Sequence, residues 1–90
     1  MKSIDYLKWF KKQNFKCLIC FQDAEIHHVN LLGMGADRTK ENDKHFEVVA
    51  LCRKHHQEIH KLGISAFQEY YEIDLWGEVG NYLIKYIKEN

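Results

Sequence analysis

Two short units of this sequence carry ligands of the kind that a tetrahedral metal ion requires. Cys17 and Cys20 are separated by two residues, and Cys52 and His55 repeat that spacing. Two intervening residues let a tight turn direct both side chains at one ion. Four protein ligands leave no coordination position open for substrate, which makes the zinc site structural. Residues 21–51 lie between the units, so a folded segment has to bring them together. The spacing therefore predicts one structural Zn²⁺ bound by these four side chains.

Four further histidines are interleaved with these ligands. His27 and His28 are adjacent on a predicted strand, where neighbouring side chains point to opposite faces. His56 and His60 are four residues apart on a predicted helix and share one face. His27, His56 and His60 could therefore hold a second, catalytic ion that keeps positions open for water and a phosphate oxygen. Imidazole titrates near neutral pH, so His28, outside that ligand set, is suited to take a proton from water.

Each of these residues also has a purely structural interpretation. The cysteines could be buried small side chains or reduced thiols without a metal, His56 and His60 could be solvated helix residues, and the pair at 27–28 could be exposed. The combination of all of them, in interleaved order, favours the metal sites. His45 stands apart from the pattern, and we assign it to the surface or to a loop.

The elements that position these side chains follow from capping and periodicity. Apolar residues at helical spacing, with Ser3 as N-cap, predict a helix over about residues 4–13. Short β-compatible runs predict strands at 24–29 and 46–51, joined by a long polar loop over 30–45. A helix follows from Arg53 to Leu62 and ends at Gly63.

The last 26 residues predict two more helices, over about 65–89, with Ser65 as the cap of the first. The second carries an apolar stripe of Leu75, Trp76, Val79, Leu83, Tyr86 and Ile87. Altogether, we predict a single α+β domain over residues 1–90. Its core lies at 17–63, between the N-terminal helix and the C-terminal helical extension.

Composition limits the classes of function that fit. The chain has 90 residues, 46% of them hydrophobic, and a formal net charge of zero, which predicts a small folded domain that a metal would help to stabilise. Residues 1–16 contain five lysines against one aspartate, whereas residues 64–90 contain five acidic residues against two lysines. Nucleic acid should therefore avoid the C-terminal part. No apolar run is long enough to span a membrane, and no signal peptide is expected. Because three cysteines cannot all pair within one chain and no secretion signal is expected, the cysteines favour metal binding over a disulfide.

The pattern resembles the HNH endonucleases of the His-Me finger superfamily. The resemblance rests on CLIC at 17–20, EIHHV at 25–29 and VALCRKHHQEIH at 49–60, with GMGADR at 33–38 between them. It covers about half of the chain. It is most similar to phage and prophage HNH nucleases that share the IHHV, GMG and CRKHH segments.

The resemblance implies a ββα-metal (His-Me finger) core in which a β-hairpin and a helix hold one catalytic ion. His28 would be the general base, with His27, His56 and His60 as ligands of Mg²⁺, Mn²⁺, Ni²⁺ or Zn²⁺. The protein would then be a phage-encoded DNA endonuclease of the bacterial cytoplasm. Arg38 is a candidate phosphate clamp, with a solvated loop arginine as the alternative. Candidate contacts to DNA phosphates are Lys40, Lys44, Arg53 and Lys54.

One residue departs from the family pattern. The family's middle asparagine, which orients the hairpin and the base, should fall nine residues before His56, and that position is Glu47. His45, Asn42 or backbone contacts could serve instead. His55, in place of the commoner cysteine, is a milder departure because imidazole also binds zinc.

Three other functions remain open at this point. The chain could be a non-catalytic zinc-finger module that binds nucleic acid or protein, which the missing asparagine favours. It could be a phage interaction protein whose C-terminal helix binds a partner protein or a second copy, although packing of the stripe on the domain's own core is the favoured alternative. A structural protein with a single zinc is the third alternative.

Overall fold

The fold is described here from a computed structural model, which covers residues 2–30, 37 and 39–90. In this part of the chain the α+β class is confirmed. The elements follow in the order α1 (Ser3–Gln13), β1 (Glu25–His28), a 3₁₀ helix (Asp43–Phe46), β2 (Val48–Leu51), α2 (Arg53–Leu62), α3 (Ile64–Tyr71) and α4 (Leu75–Glu89). None of the described helices is long and apolar enough to cross a membrane.

The two strands form an antiparallel pair that sets which side chains share a face. His27 lies opposite Val49 and His28 opposite Val48. Because side chains alternate along a strand, Ile26 and His28 lie on one face and Glu25 and His27 on the other. All four residues of β2 are buried, as expected for an apolar strand covered on both faces. Helix α2 contacts both strands, and α4 contacts β2.

The start of α1 differs from the prediction. Ser3 is the first helical residue instead of the N-cap, and the capping position, Lys2, makes no side-chain hydrogen bond. The Glu41 carboxylate replaces that cap, because it accepts the backbone N–H of Ser3 (2.5 Å) and of Ile4 (3.2 Å). A carboxylate also interacts favourably with the positive end of the helix dipole. The contact ties α1 to the segment that leads into the 3₁₀ helix.

Other element boundaries were also predicted slightly wrongly. Phe46 belongs to the 3₁₀ helix and not to β2. Ser65 lies inside α3, which begins one residue earlier, directly after Gly63. Gly63 has φ 85°, a left-handed value that glycine adopts without steric cost, and it lets α3 follow α2 without a longer loop. The end of α2 at Gly63 is as predicted.

Aromatic side chains join α1 to α4. The rings of Phe10 and Tyr82 lie 4.8 Å apart, and those of Tyr6 and Tyr86 lie 5.0 Å apart, both edge to face. In the apolar stripe of α4, Leu75 and Val79 are buried, whereas Trp76 and Ile87 are 43% and 61% exposed. The stripe therefore packs on the chain's own core along part of its length only.

Candidate metal centres and active site

The turn over residues 17–22 is a tight knuckle that presents the first two cysteines. The backbone N–H of Cys17 donates to the Gln22 carbonyl (2.8 Å), and Phe21 has φ 62°. Leu18 N–H donates to the Ala50 carbonyl at the end of β2 (3.1 Å). Cys52 follows β2 directly and occupies the N-cap of α2. The knuckle is thereby held beside the second pair of ligands.

The four predicted zinc ligands converge. Their ligand atoms all lie within 4.8 Å of one another. The sulfurs of Cys20 and Cys52 are 3.6 Å apart, as are Cys17 Sγ and His55 Nδ1. A tetrahedral zinc with bonds of about 2.3 Å spaces its sulfur ligands by about 3.7 Å, whereas a disulfide would need a separation of about 2 Å. The donor set and its spacing therefore fit zinc.

The Cys17 sulfur lies in surroundings that favour its ionised form. Burial raises its pKa, but hydrogen bonds from the backbone N–H groups of Cys52, Cys20 and Ile19 outweigh burial and lower the pKa to about 6. The Ile19 N–H lies 3.4 Å from this sulfur. A thiolate is the form that binds a metal, so this side chain is prepared for ligation at neutral pH.

A second cluster forms where β1 meets α2. One ring nitrogen from each of His27, His56 and His60 lies within 4.8 Å of the other two. His27 is only 3% exposed, and neither of its ring nitrogens has a hydrogen-bond partner among the described residues. A buried imidazole without a partner is costly unless something binds it. The cluster therefore fits a divalent metal ion, with one ligand from the strand and two from the helix.

The charge state of His27 agrees with ligation. Burial, followed by the nearby His56, His60 and His28, lowers the pKa of His27 to about 4. At neutral pH the ring is consequently uncharged, and the neutral imidazole is the form that coordinates a metal.

Glu25 is a residue of this site that the sequence interpretation missed. Its carboxylate oxygen Oε1 accepts the Nδ1–H of His56 at 2.8 Å, which leaves Nε2 of His56 for a metal. Such carboxylate–histidine pairs fix the orientation and tautomer of metal-binding imidazoles. The two-residue alternation of a strand could have revealed it, because Glu25 precedes His27 by two positions and lies on the same face.

His28 points to the opposite face and contacts His45. Its Nε2 lies 3.0 Å from His45 Nδ1, and His45 Nε2 lies 2.9 Å from the Lys40 carbonyl oxygen. His45 is fully buried, so its assignment to the surface or a loop was wrong. The 3₁₀ helix places His45 against His28 of β1, and each of its two ring nitrogens lies within hydrogen-bond distance of a partner.

A family model described as "Putative HNHc nuclease" matches residues 2–90. The chain belongs to this family. No curated protein and no solved structure matches it. The family assignment extends beyond the motif region at 17–63 and includes α1 and α4.

In this HNH-family chain, Glu47 occupies the position of the family's middle asparagine, and both its backbone and its side chain accept hydrogen bonds. The Glu47 carbonyl accepts the backbone N–H of Val29 (2.8 Å), and its carboxylate accepts the Asn30 side-chain amide (2.8 Å). Asn42 accepts the Lys44 backbone N–H and caps the 3₁₀ helix. Of the substitutes considered, His45 contacts the ring of His28, and Glu47 supplies a backbone contact to the next residue, Val29.

The predicted phosphate-binding residues differ in their exposure. Lys40 and Lys54 are exposed, Lys44 is half-buried, and Arg53 is exposed with its guanidinium 3.4 Å from Glu25. Arg38 lies outside the described residues.

One groove is lined by both His28 and His56. It has a volume of about 840 Å³ and lies between α1 and β1. His28 lines it from one face of the strand pair, and His56 and Glu25 line it at the edge. A molecule in this groove could therefore contact both the candidate base and a candidate metal ligand.

Proposed function

We propose that this chain is a metal-dependent endonuclease that hydrolyses DNA phosphodiester bonds, with His28 as general base. The observation that carries the proposal is the meeting of His27, His56 and His60 at one point, beside a fourth histidine on the opposite face of the strand. The nuclease family and the shared groove at His28 and His56 support it. Single zinc-binding modules need no second cluster of this kind.

The proposal includes a ββα-metal core formed by β1, β2 and α2, within one nuclease unit over residues 1–90. Cys17, Cys20, Cys52 and His55 would bind a structural Zn²⁺ that fixes the start of α2. The phage-like IHHV and CRKHH segments support a phage or prophage source. His27, His56 and His60 would hold the catalytic divalent ion, which when bound supplies Lewis-acid stabilisation of charge on the phosphate oxygens.

Hydrogen bonds assign the proton positions of the candidate base. A carbonyl oxygen only accepts, so His45 Nε2 donates its proton to the Lys40 carbonyl. In the neutral ring, His45 Nδ1 then accepts, and His28 Nε2 donates to it. His28 Nδ1 consequently carries the lone pair. His28 would take the proton from the attacking water, and His45 would disperse the resulting positive charge.

The first prediction concerns His45 as the residue that orients His28. The variant His45→Leu has a side chain of similar size but without either ring nitrogen. We expect it to lower kcat about 10- to 100-fold with little change in KM, which is the usual effect of removing a hydrogen-bond partner of an active-site histidine. His45→Asn should recover part of this loss because its side-chain oxygen can replace Nδ1 as the acceptor. Steady-state cleavage kinetics would measure both variants.

Thermal unfolding of the two His45 variants provides the control, because both remove a buried ring. Equal losses of kcat in the leucine and asparagine variants, matched by equal losses of melting temperature, would indicate a purely structural role. Nitrogen-15 chemical shifts of the His28 ring would report its tautomer independently of cleavage.

The function itself is tested with supercoiled plasmid and wild-type protein across Mg²⁺, Mn²⁺, Ni²⁺ and Zn²⁺. We expect nicked product with at least one of these ions and none in their absence. Protein that is folded and loaded with structural zinc, yet inactive on plasmid, single-stranded DNA and branched DNA with every ion, would contradict the proposal. It would then favour the non-catalytic zinc-binding module.

A further inference from the structure

The groove between α1 and β1 combines an apolar floor with a basic rim. Half-buried apolar side chains from both walls form the floor, namely Ile4, Leu7, Phe15, Ala24 and Ile26. Lys8 and Lys11 stand exposed at the rim. The volume of about 840 Å³ is within the usual range for ligand sites of roughly 300–1,000 Å³. The groove can therefore contact a molecule that is apolar on one side and anionic on the other.

The two lysines are placed to bind consecutive phosphates. Three residues apart on a helix, they lie on the same face of α1. Neither forms an ion pair with any residue in the described part of the chain. Lys12, on the same helix and also exposed, does not line the groove. The positive charge at the rim thus belongs to two specific side chains and not to α1 as a whole.

The apolar floor distinguishes between forms of DNA. In a duplex the bases stack on one another, so the backbone and the base edges are what a protein meets. An unpaired base exposes its face, and burial of that face against apolar or aromatic side chains is how proteins bind single strands. The apolar floor would not favour binding of a duplex backbone, because its phosphates are strongly hydrated.

We propose that this groove binds a DNA strand with an unpaired base next to the scissile phosphate. The base would lie on the apolar floor, and Lys8 and Lys11 would contact backbone phosphates on the same side. The inference rests on the proposed function, because the position of the scissile phosphate is taken from His28 and His56 in the lining of the groove. The substrate class is then single-stranded, flapped or branched DNA.

Binding of a short fluorescein-labelled DNA, as a single strand and as a blunt duplex, tests the inference by fluorescence anisotropy. The full chain carrying His28→Ala is used without added divalent metal, so that cleavage does not interfere. We expect the single strand to bind more tightly than the duplex at equal salt. Lys8→Gln with Lys11→Gln should reduce the salt slope for the single strand by about 1.4, since each phosphate contact contributes about 0.7.

Two further variants separate charge from the apolar floor. Lys12→Gln, the matched charge control, should leave the affinity and the salt slope unchanged. Ile26→Thr keeps a β-branched side chain on β1 but adds a hydroxyl to the floor, and should weaken the single-strand complex while leaving the duplex complex as it was. The melting temperature of each variant would show that the fold is retained.

Several outcomes would overturn the inference. These are tighter binding of the duplex, an unchanged salt slope in the double lysine variant, or an equal loss in Lys12→Gln. If wild-type protein cleaves DNA but binding does not depend on the groove, the inference fails and the nuclease function stands. If binding depends on the groove but no cleavage occurs with any metal, the nuclease function fails and the groove remains a single-strand site.

Discussion

The variant Cys17→Ser should lose both the cooperative thermal unfolding transition of the chain and its ability to bind zinc. The Cys17 side chain is fully buried at the centre of the four-ligand cluster, and a serine hydroxyl is a poor zinc ligand. Structural zinc in small domains contributes about 10–16 kcal/mol to folding, as much as the whole stability of many domains, about 5–15 kcal/mol. Circular dichroism melting and metal analysis by mass spectrometry would measure both changes.

His60→Ala is the matched control for this loss of a metal ligand. His60 is exposed on α2 and belongs to the second cluster alone. We expect that variant to keep its melting transition and one zinc per chain while it loses the second divalent ion. A Cys17→Ser protein that melts like the wild type without zinc would show that the cysteines serve the fold in some other way.

The second large effect is expected at His28. His28→Ala should reduce the rate of plasmid nicking about 10²- to 10⁴-fold, the usual contribution of a general base. The four-ligand Cys/His cluster and the three-histidine cluster remain intact in this variant, so zinc content and fold should be unchanged. Single-turnover cleavage with saturating protein would isolate the chemical step from DNA binding.

Added imidazole gives a sharper test of the same residue. His28 lines the open groove, so a small base could reach the vacated position in the alanine variant and restore part of the rate. Rescue that grows with the concentration of neutral imidazole would support the base assignment. Cleavage at the normal rate by His28→Ala would refute it.

The two candidate metal sites share the first turns of α2. Cys52 occupies the N-cap of this helix and His55 completes the four-ligand cluster, while the next residue, His56, belongs to the three-histidine cluster. Adjacent residues on a helix point about 100° apart, so two consecutive histidines face two different clusters. If the proposed zinc holds this end of the helix, its removal should lower activity as well as stability.

Much of the candidate site could be predicted from the sequence because it depends on spacings between residues that are close together in the chain. The spacing within residues 17–20 and 52–55 limits the ligand geometry to a turn and a helix start, and residues 56 and 60 share a face of any helix. The helix from Arg53 to Leu62 followed from periodicity and from Gly63, and the two strands followed from short β-compatible runs. The resemblance to HNH nucleases was confirmed by the family that matches residues 2–90.

The sequence by itself determined the spacing within the two candidate zinc-binding units, the shared face of His56 and His60 and the opposite faces of His27 and His28, since local periodicity governs each of them. Only the tertiary structure decided that His45 is buried against His28, that Glu41 caps α1 and that a groove joins α1 to β1. The first two contacts link residues 17 and 38 positions apart. They depend on the strand register and on where the 3₁₀ helix packs, and no local pattern encodes them.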